Sequence, residues 1–179
     1  MVFTVTLDFK DKIKNSVLKE VEKSIKMLSG AKVYSGVIGE DERTSEMAHD
    51  SEFGRLTVYD HGPHQGEAVL DPKRPFVSAP VEKNIERIGS VLEMFLMGAL
   101  NQKNIKEGLE SCGETMSDLQ KEAISSIGAS VGGWAQFNGG KVGNENSPRT
   151  VETKGFSLPL HNQNHQPMPI KYEVELGGV

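Results

Sequence analysis

The sequence is poor in cysteine, in basic excess and in long apolar runs, and each shortage excludes a class of protein. Its one cysteine, Cys112, rules out an intrachain disulfide. Stability must therefore come from packing, and synthesis in a reducing cytoplasm is the natural expectation. No run of roughly 18 uncharged apolar residues occurs, the length a membrane-spanning helix requires. The segment Met1-Val2-Phe3-Thr4-Val5-Thr6-Leu7-Asp8 alternates instead of passing from basic to apolar, so no signal peptide is expected. There is no internal repeat and no low-complexity tract.

Basic residues do not dominate. Twenty Lys and Arg stand against 25 Asp and Glu, for a net charge of −5 and a pI near 5.6. A surface built to grip phosphates needs clustered Lys and Arg, whereas here the signs are mixed, as between Lys10 and Lys26. Sequence-specific binding of DNA or RNA is not expected. A mildly acidic surface can instead line a channel through which DNA slides, because like charges oppose adhesion.

What remains is 179 residues with 36% hydrophobic content, 19 glycines and 8 prolines. That length suits one domain spanning 1–179 with a core of its own. A lean core with many loops suits a subunit that completes its burial against neighbours.

Along the chain, Phe3, Val5, Leu7 and Phe9 alternate with polar residues, the period of a half-buried strand. From Asp11 to Leu28 the period changes: Ile13, Val17, Val21, Ile25 and Leu28 share one helical face, with Gly30 where the helix should end. Ala31 to Gly39 reads as a second strand lying beside the first. Arg55 to Leu70 has weak strand character interrupted by His61-Gly62-Pro63-His64-Gln65-Gly66, and reads as a hairpin or arm inserted at 55–71. Two prolines, Pro72 and Pro75, constrain the turn that follows. A long helix is expected from Pro80 to Asn101, with Val81, Ile85, Ile88, Leu92, Phe95 and Ala99 as its apolar stripe. A short helical piece follows over Ile105–Ser111. Thr115-Met116-Ser117-Asp118 resembles a capping box and should open a further helix, with Met116, Leu119, Ala123, Ile127 and Val131 inward. After a loop from Gly139 to Arg149, alternation returns, with Phe156 and Leu158 as core contacts. Met168, Ile170, Tyr172, Val174 and Leu176 make the clearest strand. The expected fold is α+β: a small mixed or antiparallel β-sheet including both termini, packed against an N-terminal helix and two longer helices.

Three segments, in order, resemble the neck or tail-completion (head–tail joining) proteins of tailed bacteriophages. Ala48-His49-Asp50-Ser51-Glu52-Phe53-Gly54 is similar to that family's short helix ending in Glu-Phe-Gly. Lys73-Arg74-Pro75-Phe76 is similar to its Ala-Arg-Pro-Phe turn before a long helix. Ser147 to Gly155, Leu158-Pro159-Leu160 and Ile170-Lys171-Tyr172-Glu173-Val174 are similar to its Ser-Pro-x-Thr run, Pro-Leu and final Ile-x-Tyr-x-Val strand. The likeness runs from about Ala31 to the carboxyl end. The chain departs from it at Asn162-Gln163-Asn164, where the family commonly has Asp-Thr-Gly, and in the length of Arg55–Asp71.

The resemblance implies a non-enzymatic virion protein that forms a ring, hexameric or dodecameric, at the head–tail junction. Its partners would be copies of itself, head-side connector or head-closure proteins, and the tail terminator or tail tube and sheath. DNA would cross the lumen, and no cofactor or membrane would be involved. A tail-terminator ring capping the tail tube is the alternative within that class. The candidate interface residues are Phe53, Arg55, Tyr59, His61, Arg74, Phe76, Trp134 and Arg149, together with the 55–71 arm and the Glu145–Arg149 loop. Phe53 can dock into its own core or into a neighbour. Arg74 can pair with a carboxylate of its own chain or across a ring interface. A head-to-tail ring needs two complementary patches on each copy.

Catalytic chemistry finds less support. Asp60, His61, His64 and Glu67 lie close in sequence, and His161 and His165 are four apart, but neither spacing is a known zinc pattern. A metal-dependent hydrolase is the remote alternative. Cys112, taken to lie at a helix boundary between Ser111 and Gly113, has no evident base. Ser125 and Ser126 lack an elbow motif. The glycines from Gly128 to Gly140 form no phosphate loop, because no Gly-Lys-Ser/Thr follows them.

Overall fold

The fold is that of a computed structural model, which describes residues 16–58, 65–66, 68–71, 73–98, 102–126, 152–153, 155, 160–161 and 166–178. In order, these form α1 (Ser16–Leu28), β1 (Lys32–Gly36), α2 (Glu42–Phe53), β2 (Arg55–Val58), β3 (Ala68–Asp71), α3 (Ser78–Lys83), α4 (Ile85–Gly98), α5 (Gln102–Ser126) and β4 (Lys171–Glu175). The class is α+β. Two small sheets are present among the described residues, one pairing β1 with β4 and the other β2 with β3. The expected strand at Phe3–Phe9 lies outside the described residues.

Two compact units divide the chain, one within Met1–Tyr34, Ile85–Met116 and Tyr172–Val179, the other within Ser35–Asn84 and Ser117–Lys171. In the first unit, α1 turns Val21, Ile25 and Leu28 partly inward and leaves Lys19, Glu20, Glu22 and Lys23 in solvent. The helix ends as its sequence requires: Gly30 takes a φ of 87°, and the Ser29 amide donates to the Ile25 carbonyl at 2.8 Å. Ile88, Ile105, Leu109 and Cys112 are buried where α4 and α5 supply the apolar side chains. Gly113 faces the Tyr172 ring so closely that a β-carbon there would overlap Cγ and Cδ2. Gly177 is equally confined by the Ser29 carbonyl, and its amide donates to the Met27 carbonyl at 2.8 Å, satisfying an end of α1.

The second unit has a core of Ala48, Phe76, Ile124, Leu160, Met168 and Ile170, with Val37 and Val77 packed against it. Met168 returns to Leu160 through a 2.8 Å backbone bond, beside an antiparallel bridge between His161 and Pro167. Leu160 holds a positive φ of 57°, a conformation unfavourable for a side chain with a β-carbon and sustained by burial of that side chain.

Three expected boundaries are corrected. The long helix from Pro80 is two helices, broken at Asn84, whose side-chain amide donates to the Pro80 carbonyl at 2.8 Å. An asparagine that bonds its own backbone competes with helix continuation. The helical pieces at Ile105–Ser111 and after Thr115 are one helix, α5. The Thr115 hydroxyl donates back to the Ser111 carbonyl at 2.8 Å and caps nothing. Cys112 consequently lies inside a helix, and its thiol faces the Ile88 carbonyl at 3.4 Å. Finally, the short helix expected over Ala48–Gly54 is the second half of a longer one, α2, which begins at Glu42. Asp41 caps it by accepting from the Thr44 amide at 3.0 Å and the Thr44 hydroxyl at 2.8 Å.

Candidate functional site

The residues singled out as contacts gather in part at one place, the end of α2 in the second unit. The helix stops because Gly54 adopts φ 77° and ψ 152°, a region essentially closed to side chains. Its amide donates to the Asp50 carbonyl at 2.8 Å. Strand β2 leaves directly from this stop and pairs antiparallel with β3, Arg55 opposite Asp71 and Val58 opposite Ala68. The expected hairpin is therefore present at its base. Its remaining residues 59–64, 67 and 72 lie outside the described residues.

The chain returns from the hairpin to the same helical turn. The Arg74 amide donates to the Ser51 carbonyl at 2.6 Å. The Glu52 carboxylate, buried in the fold, accepts from the amides of Val77 at 2.9 Å and Ser78 at 3.0 Å. These are the leading amides of α3, which has no capping side chain of its own, so Glu52 supplies that cap from a distant helix. The carbonyl of Val77 in turn accepts from Gln120 Nε2 at 3.1 Å. Gln120 is fully buried in α5, and its Oε1 accepts from the Ser35 hydroxyl at 2.7 Å. A chain of polar groups, buried at Glu52 and Gln120 and half-buried at Ser35, thus runs from Glu52 to Ser35, each with its partner.

This geometry sorts the proposed contact residues. Phe53 is 63% exposed, its ring tilted against the neighbouring His49 ring with centroids 4.9 Å apart. Of the two readings for Phe53, docking into its own core is overturned. Helical geometry gives the reason: Glu52 faces inward to reach α3, and the next residue is turned about 100° away. Arg55 begins β2 with its guanidinium on the Asp50 carboxylate at 2.7 Å. Phe76, by contrast, is 0% exposed and belongs to the core. It is withdrawn as a surface contact. Arg74 is buried as well, which speaks against the second of its two readings, pairing across a ring interface. Tyr59, His61, Trp134 and Arg149 lie outside the described residues, as do the Glu145–Arg149 loop and the segment from Ser147 to Gly155 apart from residues 152–153 and 155.

Val58, 59% exposed on β2, and Met47 on α2 were not singled out, yet they join Phe53 among the exposed large apolar side chains of this unit. The alternation in Arg55-Leu56-Thr57-Val58 was the available signal, but a strand this short has no marked polar face.

Chemically the place is a joint between the end of α2, the base of the hairpin and the start of α3. Its carboxylates are engaged: Glu52 with backbone amides and Asp50 with Arg55. Among the described residues no three His, Cys, Asp or Glu are placed to hold a metal ion. The groups Asp60, His61, His64, Glu67 and His165 lie outside them. The buried Cys112 thiol, in the first unit, is pushed above its ordinary pKa by desolvation, which makes it a poor nucleophile. No described helix is long and apolar enough to cross a membrane. Compared with known proteins, the chain matches no family model, no curated protein and no solved structure.

Proposed function

We propose that this chain is a structural subunit of a tailed-phage particle, a neck or tail-completion protein that joins head to tail as a ring of identical copies. The resemblance in motif order is the origin of the reading. The observation that carries it is the joint: Ala48–Gly54 and Lys73–Phe76, two of the segments bearing that resemblance, meet through the Arg74–Ser51 bond, and Glu52 holds the two amides that follow, Val77 and Ser78. Between them they root one hairpin and leave Phe53 and Val58 in solvent. Residues that would otherwise be scattered matches have a shared mechanical role, to hold an arm and an apolar contact at one place. Exposed aromatic anchors beside a rigid support are what an assembly contact needs. The mixed, net negative charge of −5 is compatible with DNA passing through a lumen without sticking.

Electron microscopy of the purified protein and of intact particles tests the reading. Rings in solution or at the head–tail junction are the expected result, and particles lacking the protein should contain heads and tails of normal tube length that do not join. Altered tube length would indicate the terminator role instead. A chemical turnover lost on changing one histidine or acid would overturn the structural reading altogether. Phe53→Asp should weaken self-association at least about tenfold, as loss of an interface anchor does. It should change folding stability by no more than about 0.5 kcal/mol, as expected for a surface site. Equilibrium sedimentation and thermal melting measure the two.

A further inference from the structure

We propose that the last turn of α2 is a clamp for the feet of the β2–β3 hairpin, and that this clamp, rather than the strand pairing alone, keeps the arm formed and aimed. Three consecutive residues each hold a piece of it. Asp50 holds the outgoing foot twice, through its carbonyl on the Gly54 amide at 2.8 Å and its carboxylate on Arg55 at 2.7 Å. Ser51 holds the returning foot through its carbonyl on the Arg74 amide at 2.6 Å. Glu52 holds the next step of the return, with one oxygen on Val77 and the other on Ser78. Both feet are thereby kept within a single helical turn, about 5.4 Å of axis.

The clamp is needed because of what the hairpin lacks. Among the described residues β2 and β3 pair only with each other, over four residues each. A two-stranded hairpin is marginal in water by itself. Joining its two feet removes most of the loop-closure entropy that pairing must overcome. Among its described side chains the outgoing foot has no buried apolar one: Phe53 and Val58 are exposed and Arg55 is held by an ion pair. The returning foot is doubly secured, since fully buried Phe76 lies between Arg74 and the amides that Glu52 holds. The final turn of α2 therefore transmits the rigidity of the core to the arm. If the arm is the assembly contact, as proposed above, holding it in one direction lowers the ordering cost of association.

Amide hydrogen exchange on the full chain tests the clamp directly, using Glu52→Gln for the returning foot and Asp50→Asn for the outgoing one. The expected result is exchange faster by tenfold or more along Arg55–Val58 and Ala68–Asp71 in both variants, with Ala123 and Ile124 in α5 unchanged. Glu42→Gln, in the exposed first turn of α2, should change neither. Unchanged hairpin exchange in both clamp variants would overturn the proposal. So would an equal acceleration at Ala123 and Ile124, because the residues would then stabilise the unit as a whole. Asp50→Asn touches only a partly exposed pair, so its result stands even if Glu52→Gln unfolds. Assembly is read separately by sedimentation: wild-type protein that never associates counts against the ring and leaves the clamp to the exchange data.

Discussion

In the unit built from α1, α4 and the first part of α5, glycines sit where neighbouring atoms leave little or no room for a β-carbon. Gly113 lies against the Tyr172 ring, Gly177 against the Ser29 carbonyl, and Gly108 against Leu92 and Phe95. In the unit built around α2 and α3, polar side chains are carried inward instead. Glu52, Gln120 and Ser35 thread hydrogen bonds past Phe76 and Ile124. The first unit is specified by what has no room to be there, the second by what must have a partner. Steric specification fails abruptly when an atom is added. Hydrogen-bond specification fails when an acceptor is removed and a buried donor is left dry.

The comparison can be broken most decisively at the apolar centre of the second unit. Phe76→Ala should cost about 3–5 kcal/mol, the usual result for a large aromatic removed from a core, and chemical denaturation measures it. A loss under about 1 kcal/mol, the scale of a surface change, would mean that the buried polar thread holds the unit without its aromatic. In the first unit, Gly113→Ala should destabilise by about 1–3 kcal/mol because the new methyl meets the Tyr172 ring. This reverses the helix-propensity gain of up to about 1 kcal/mol that the substitution would ordinarily bring. Gly89→Ala provides the contrast: Gly89 is inside α4 with open space at its β-position, so a gain of about 0.5–1 kcal/mol is expected there. Thermal melting of the two variants side by side should show opposite signs. If both gain, Gly113 is not a packing device.

The smallest effect concerns pH. Asp41 has its pKa lowered, first by the bond from the Thr44 amide and then by that from the Thr44 hydroxyl. A carboxylate depressed on folding contributes stability that is fully present above its unfolded pKa. That contribution disappears as the pH falls through the folded value. Asp41→Asn keeps a good capping side chain but should flatten the decline in stability below about pH 4, where aspartates ordinarily titrate. An acid melting series identical to that of the wild type would remove Asp41 from the acid response.

Much of the local structure was legible in the residues. The inward set Val21, Ile25 and Leu28 identified α1. The alternation of Lys171, Glu173 and Glu175 with Tyr172 and Val174 identified β4, whose exposed and half-buried faces follow that pattern. The hairpin was legible from weak alternation around a turn-rich centre, and the end of α2 from Glu-Phe-Gly. The reading failed at Thr115, where a local capping signal was preferred over a longer periodicity. Ile105, Leu109, Cys112, Met116, Leu119 and Ala123 recur at steps of three and four through that point, and all but the half-buried Met116 are buried. Packing of that stripe outweighs one hydroxyl, as tertiary context commonly outweighs propensity. At Asn84 the opposite occurred: an apolar stripe continued in sequence while a side-chain amide broke the helix.

The candidate joint was legible only as a list of residues. Phe53 and Phe76 look alike in the sequence, each next to a turn-forming residue and within two positions of a charged one, yet one lies in solvent and the other has no exposure at all. Periodicity and turn chemistry depend on neighbours within a few positions, so the sequence by itself determined helix faces, strand alternation and helix stops. Which aromatic is covered, and whether a buried carboxylate finds an amide, depends on segments 25 residues or more away, as Glu52 and Val77 are. Those outcomes were decided by the tertiary structure, because burial and partnering are properties of a place in the fold and not of a residue.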